Sequence, residues 1–180
     1  MIGQLIAVVG PSGAGKDTLI DAARRARPDL LIVRRVITRP TESGGEDFEG
    51  VSDADFAARK KRGDFALDWR AHGLRYGLPA LQIAEHLAGR DVLFNGSRHA
   101  LDAAAILFPH LRVIRVSAPS AVLRDRLLAR GRETVQDIEA RINRASYDVP
   151  AGLHVTDVVN GGTLADGTAR FLAALQPVNA

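Results

Sequence analysis

Residues 4–27 constrain this chain more than any other segment. Gln4 to Val9 (QLIAVV) is short, β-branched and nearly continuous in apolar residues. That pattern predicts a strand buried on both faces of a parallel sheet. Gly10-Pro11-Ser12-Gly13-Ala14-Gly15-Lys16 follows and fits G-x-x-x-x-G-K. Lys16 to Arg27 then places Leu19, Ile20, Ala23 and Ala26 at helical spacing, and Pro28 ends the run. A strand, a glycine-rich turn and a helix in this order build an anion cradle. The glycines let backbone N–H groups turn inward, and the helix aims its positive end at the same point. Lys16 adds a mobile point charge that reaches between the β- and γ-phosphates of a bound nucleoside triphosphate. The segment Gly10 to Thr18 is therefore the expected ATP site.

One position departs from the motif. The residue after the lysine is ordinarily Ser or Thr, a Mg²⁺ ligand, but here it is Asp17, with Thr18 next. Asp17 has two readings. It is a first-turn acid that suits a helix N-terminus, or it holds Mg²⁺, directly or through water, with Thr18 beside it. A second departure favours the metal. The strand Asp91 to Phe94 ends in Asn95-Gly96-Ser97-Arg98, with no carboxylate where such enzymes usually carry one. Asp17 would then supply the missing negative charge.

The rest of the chain alternates. Strands are expected at 30–37, 65–69, 91–94, 111–116 and 155–159. Helices are expected at about 52–61, 79–88, 99–107, 119–128, 135–147 and 164–175. Ser52 to Asp55 (SDAD) resembles a capping box. This order implies βαβ units and an α/β fold with a mostly parallel five-stranded sheet flanked by helices. No repeat, low-complexity tract or linker divides the 180 residues, so a single domain is expected over 1–180. A small substrate-covering insert is expected at about 38–80, beginning in the polar, glycine-bearing loop 38–51.

Composition excludes several classes. There is no cysteine, so disulfides, thiolate catalysis and Cys-zinc sites are ruled out. The five histidines show no metal spacing. No run approaches the length of a membrane span and no signal peptide is visible, which suits a cytoplasmic protein without membrane attachment. The net charge of +3 is too small to imply a nucleic-acid partner. Of 24 basic residues only Lys16, Lys60 and Lys61 are lysines. Composition bias accounts for the bulk of the arginines, since the chain also carries 28 alanines. Some of them, however, fall in loops where phosphates would meet.

From end to end the chain resembles a nucleoside-monophosphate kinase of the guanylate kinase type. GPSGAGK resembles that family's phosphate loop, and Val36-Ile37-Thr38-Arg39-Pro40 its substrate-phosphate segment. Val51-Ser52 with Phe56, then Phe65 to Trp69, His72-Gly73 and Tyr76-Gly77, continue the match. Leu128 to Arg144 resembles the lid and its following helix, a lid at about 128–144, and Val158-Val159-Asn160 the strand and loop beside adenine. The guanine-reading positions do not match. Thr41-Glu42 stands where the family has a second arginine, Phe48 replaces its phosphate-binding tyrosine, and its base-binding acid falls in Phe94 to Ser97. The variant segments, GKD, ITRP with a shortened GGED loop, AHGLRYGLP and NGSR, are instead similar to ribose 1,5-bisphosphate phosphokinases, the guanylate-kinase relatives of phosphonate catabolism.

That resemblance implies ATP-dependent conversion of ribose 1,5-bisphosphate to 5-phospho-α-D-ribose 1-diphosphate. ATP is the donor, Mg²⁺ the cofactor and a sugar bisphosphate the other partner; monomer and homodimer are both compatible. Lys16, Arg130, Arg132 and Arg141 are the expected catalytic residues. Arg39, Arg35, Glu46, Asp68, Arg75, Tyr76, Asn95, Ser97 and Arg98 are expected to hold the acceptor, with Asp47 and His72 as further candidates. Asn160 is expected at the ATP site. Guanylate kinase, a kinase of another small acceptor such as gluconate, and a non-enzymatic phosphopeptide-binding module are the alternatives. The module is disfavoured because Lys16 and all three loop glycines are kept.

Overall fold

A computed structural model describes residues 2–41, 46–131, 134–143 and 149–177, apart from the side chains of residues 130, 141 and 143. The core is a five-stranded parallel sheet. Its strands are β1 (Leu5–Val9), β2 (Leu31–Ile32), β7 (Val92–Asn95), β8 (Arg112–Ser117) and β9 (His154–Val159), in the order β2-β7-β1-β8-β9. The central strand β1 is buried along its whole length, so its near-continuous apolar sequence has two faces to fill. One face packs Val9, Phe94 and Val113 with Leu101 and Ala104 of α4 (Arg98–Leu107). The other packs Val8, Ile114 and Val116 with Leu19 and Ala23 of α1 (Lys16–Ala26) and Phe171 of α7 (Leu164–Ala174). Helices α5 (Ser120–Arg130) and α6 (Val135–Asn143) lie together beyond β8.

A second, four-stranded sheet stands beside the first, in the order β4-β3-β6-β5. It is built from β3 (Arg35–Ile37), β4 (Phe48–Gly50), β5 (Phe65–Ala71) and β6 (Leu74–Pro79), with α2 (Asp53–Arg62) on one face. Two expectations change here. The run 30–37 is not one strand: Leu31 and Ile32 pair with β7, whereas Arg35 to Ile37 pair with β4 and β6 in the other sheet. The chain crosses between sheets at Val33-Arg34, where two adjacent arginines interrupt the apolar run. The second change is that β5 and β6 form a hairpin, so the expected helix 79–88 shortens to α3 (Ala80–Ala84) and a 3-10 turn at 85–88. His72 and Gly73, both at positive φ (52° and 74°), make the turn of that hairpin. His72 is exposed at its tip.

Alternation across the second sheet sorts its side chains. The face toward the core carries Arg35, Ile37, Phe48, Trp69 and Tyr76. The opposite face carries Glu49, Asp68 and Arg75, each tied to α2: Glu49 to Arg59, Asp68 to Lys60 at 2.6 Å, and Arg75 to Asp53 at 3.2 Å. Phe56 of α2, 1% exposed, stacks on Phe65 at 4.7 Å and anchors the helix there. Ser52 caps α2 by accepting from the Asp55 N–H at 3.1 Å, as the SDAD pattern predicts.

Candidate active site

The phosphate loop closes between β1 and α1 as the sequence predicts. Gly10, Gly13 and Gly15 all take positive φ (154°, 85° and 89°), which no side-chain-bearing residue adopts readily. A Cβ on Gly10 would lie 2.1 Å from the Val116 carbonyl oxygen, so glycine is also the only residue that fits against β8. Lys16 Nζ donates to the Gly10 and Pro11 carbonyls at 2.8 and 3.2 Å, which folds its charge back over the loop. Ser12 and Thr18 are exposed.

Two residues brace this loop from behind. Asn160, just past β9, is 5% exposed, and its Nδ2 donates to the Ala14 carbonyl at 2.8 Å. Asn160 is thus placed against the loop at which ATP is expected, with its amide holding that loop. Arg126 of α5, which sequence reasoning missed, donates from Nη1 to the Gly13 and Ala14 carbonyls at 3.3 and 3.4 Å. Nothing in its local sequence sets it apart from other surface-helix arginines.

At the mouth of the loop Asn95 Nδ2 donates to Asp17 Oδ1 at 3.0 Å. The end of β7 and the first turn of α1 therefore meet, and the carboxylate lies opposite the strand end that lacks one. A cleft opens beside them, lined by Asp17, Ile20, Val33, Glu46 and Asn95 among others. Through Glu46 it adjoins the core-facing side of the second sheet. There Arg35, 6% exposed, is gripped by Glu46, which accepts from Nε at 2.8 Å and from Nη2. The Arg35 guanidinium also lies 5.0 Å from the Tyr76 ring centroid and 5.8 Å from that of Trp69. Arg39 rests its guanidinium over the Phe48 ring at 4.2 Å. Burial pushes the Tyr76 hydroxyl above its ordinary pKa, so it stays a neutral donor.

The expected acceptor residues thus divide. Asn95 lines the cleft, Tyr76 lies by the Arg35 guanidinium, and Arg39 lies over Phe48. Arg35 and Glu46 are bound to each other. Asp68 and Arg75 belong to the α2 face, because strand alternation turns them away from Trp69 and Tyr76. Asp47 pairs with Arg34 at 3.0 Å on the exposed edge. Ser97 caps α4 by accepting from the His99 N–H at 3.3 Å, and Arg98 is exposed at the start of that helix. Arg132 and Arg144 lie outside the described residues, as do the side chains of Arg130 and Arg141.

No protein-family model matches the chain. It is 48% identical over 185 residues to the ribose 1,5-bisphosphate phosphokinase of Pseudomonas fluorescens, covering 97% of this chain and 96% of that one. It is 48% identical over 175 residues to the bifunctional ribose 1,5-bisphosphokinase-thymidine phosphorylase of Cupriavidus necator, spanning 97% of this chain but only 29% of that longer protein. Among solved structures, the guanylate kinase of Anaplasma phagocytophilum superposes with a TM-score of 0.71 over 97% of this chain and 85% of its own, at 17% identity. That likeness establishes the fold.

Proposed function

The chain belongs to the ribose 1,5-bisphosphate phosphokinase family, and on that premise we propose that it transfers the γ-phosphoryl group of ATP to the 1-phosphate of ribose 1,5-bisphosphate. The products are ADP and 5-phospho-α-D-ribose 1-diphosphate. The observation that carries this reading is the full-length likeness to such kinases in a chain whose Gly10–Lys16 loop keeps its glycines, its lysine and its positive-φ geometry.

In this reaction an oxygen of the sugar 1-phosphate bonds to the γ-phosphorus. The bond from that phosphorus to the β–γ bridging oxygen breaks, and its electron pair leaves with ADP. The attacking oxygen is already ionised at neutral pH, so no general base is required. The work left for the protein is to bring anions together and screen them. The loop N–H groups and Lys16 hold the donor. Arg39 and Tyr76 hold a phosphate of the acceptor, with Asn95 and Arg98 at the sugar. By the family resemblance, Arg130 or Arg132 closes on the transferring group from a lid at about 128–144, and Arg141 reaches between the two substrates. The second sheet with α2 acts as the acceptor-covering part of one kinase domain.

Mg²⁺ supplies charge neutralisation between the donor phosphates. The residues present suit it. Mg²⁺ takes carboxylate oxygens, and Asp17, held by Asn95 at the mouth of the loop, would hold it with Thr18, the next residue. No helix among the described residues is long and apolar enough to cross a membrane. We assign the enzyme to the cytoplasm, with a role in phosphonate breakdown or in another supply of the 1-diphosphate product.

An ATP-coupled assay offering ribose 1,5-bisphosphate, GMP and gluconate in parallel tests the assignment. Turnover of the sugar bisphosphate, with formation of the 1-diphosphate, is expected. Turnover of GMP or gluconate without it overturns the reading.

A further inference from the structure

Glu46 lines the cleft, and behind it the Arg35 that it holds covers an aromatic pair on the core-facing side of the second sheet. Trp69 and Tyr76 face each other across the β5–β6 hairpin, with ring centroids 5.3 Å apart and planes only 6° from parallel. A stacked indole and phenol beside a cleft would ordinarily seat a planar heterocycle, because every nucleobase has a π-face to lay on it. Here the Arg35 guanidinium lies over both rings, at 5.0 Å from Tyr76 and 5.8 Å from Trp69. It is a flat cation on a ring face, the arrangement that rings and guanidinium both favour.

Arg35 cannot easily move aside. It is 6% exposed. Glu46 grips it through Nε and Nη2, so swinging it out would strand a carboxylate whose side chain is 18% exposed. The neighbouring aromatic is capped in the same way, with the Arg39 guanidinium 4.2 Å from the Phe48 centroid. Phe48 pairs directly with Arg35 in the strand register.

We propose that Arg35, held by Glu46, is a specificity-determining residue: it covers the Trp69–Tyr76 stack, so the acceptor site admits a small sugar phosphate and rejects a purine nucleoside monophosphate. The identity of the favoured acceptor rests on the phosphotransfer reading above; the exclusion of a stacked base rests on the geometry alone.

Trp69 is the single tryptophan of the chain, so its fluorescence reports on the platform itself. In Arg35→Ala/Glu46→Ala both members of the ion pair are removed, which uncovers the rings without stranding a charge. In Arg35→Met/Glu46→Gln the charges go but a side chain still covers Tyr76. GMP is titrated into each folded protein while Trp69 emission is followed. Turnover of GMP and of ribose 1,5-bisphosphate is measured alongside. Uncovering the rings is expected to tighten GMP binding by about tenfold or more, the scale of one base stacked on one aromatic side chain. The kcat/KM ratio of GMP to sugar bisphosphate should rise by a similar factor. The Met/Gln protein should bind GMP no better than the unaltered one.

Equal GMP titrations for the Ala/Ala and unaltered proteins overturn the proposal. So does a Met/Gln protein that admits GMP as readily as Ala/Ala, since coverage would then not be the discriminator. Arg35→Ser/Glu46→Gln carries the same expectation as Ala/Ala and replaces it if that protein does not fold. Absence of any ribose 1,5-bisphosphate turnover by the unaltered protein would overturn the activity reading yet leave the fluorescence comparison decisive.

Discussion

Asn160→Ala should loosen the phosphate loop without touching the acceptor side. The Asn160 amide is 5% exposed and gives its Nδ2 hydrogen to the Ala14 carbonyl at 2.8 Å. A carbonyl only accepts, so the donor end of the amide must face it. Truncation leaves that carbonyl only the longer contact from Arg126 at 3.4 Å, and losing the better hydrogen bond costs about 0.5–1.5 kcal/mol. The void left by the amide adds about 1 kcal/mol. For a domain of this size each kcal/mol lowers the melting temperature by about 2–4 °C, so a fall of about 3–10 °C is expected. Ala14 lies between Gly13 and Gly15, both at positive φ, so the loss falls on the strained turn that binds the donor. KM for ATP should rise about five- to tenfold, the equivalent of about 1–1.4 kcal/mol of loop ordering. KM for the acceptor should stay within about twofold. Asn160→Asp should be worse than Asn160→Ala, because it sets a buried carboxylate against a carbonyl oxygen with no donor between them. Thermal melts and steady-state kinetics with each substrate varied provide the test. A melt at the unaltered temperature, an Asp variant more stable than the Ala variant, or an equal rise in both KM values would refute the reasoning.

The remaining predictions concern the metal, a helix glycine and acid stability. Asp17→Ala should raise the Mg²⁺ concentration needed for half-maximal activity and Asp17→Asn should leave the melt nearly unchanged; an unaltered Mg²⁺ titration in Asp17→Ala refutes a metal role. Gly167→Ala gains up to about 1 kcal/mol of helix propensity, yet its Cβ would lie 2.2 Å from Asn160 Oδ1. It should therefore destabilise the protein and raise KM for ATP, whereas a higher melting temperature would show the brace to be compliant. Glu49 is held below its ordinary carboxylate pKa by the hydrogen bond from Arg59. A depressed pKa contributes stability that is present above the ordinary value of 4.5 and is lost as pH falls through the folded-state value. Glu49→Gln should accordingly flatten the acid limb of the stability–pH curve below about 4.5 and leave neutral kinetics alone.

Local sequence carried the first half of the site because its parts are contiguous. A buried strand, three glycines, a lysine and a helix lie within residues 5–26, and each needs only its neighbours to take shape. The helix start at Ser52 was legible for the same reason: the capping oxygen and the N–H that it accepts from are three residues apart. The β6 strand was not legible. Leu74 to Pro79 contains Gly77 and ends in proline, and the turn before it needs a non-glycine residue, His72, at φ 52°. The break at Val33-Arg34 was hidden too, since both halves of 30–37 favour extended backbone and only their partners differ.

By itself the sequence determined an α/β kinase fold with a working phosphate loop and a resemblance specific enough to name a family. Tertiary structure decided what the individual charges do. Asp17 meets Asn95 across 78 residues, and Asn160 reaches Ala14 across 146. Arg35, Asp68 and Arg75 read alike as acceptor ligands in the sequence. In the fold Asp68 and Arg75 are turned toward α2 by the alternation of their strands, and Arg35 is fastened to Glu46 over two rings. The reason is electrostatic. A buried charge persists only where a partner satisfies it, and which partner is within reach depends on strand pairing that sets distant residues on one face, not on the residues beside it in the chain.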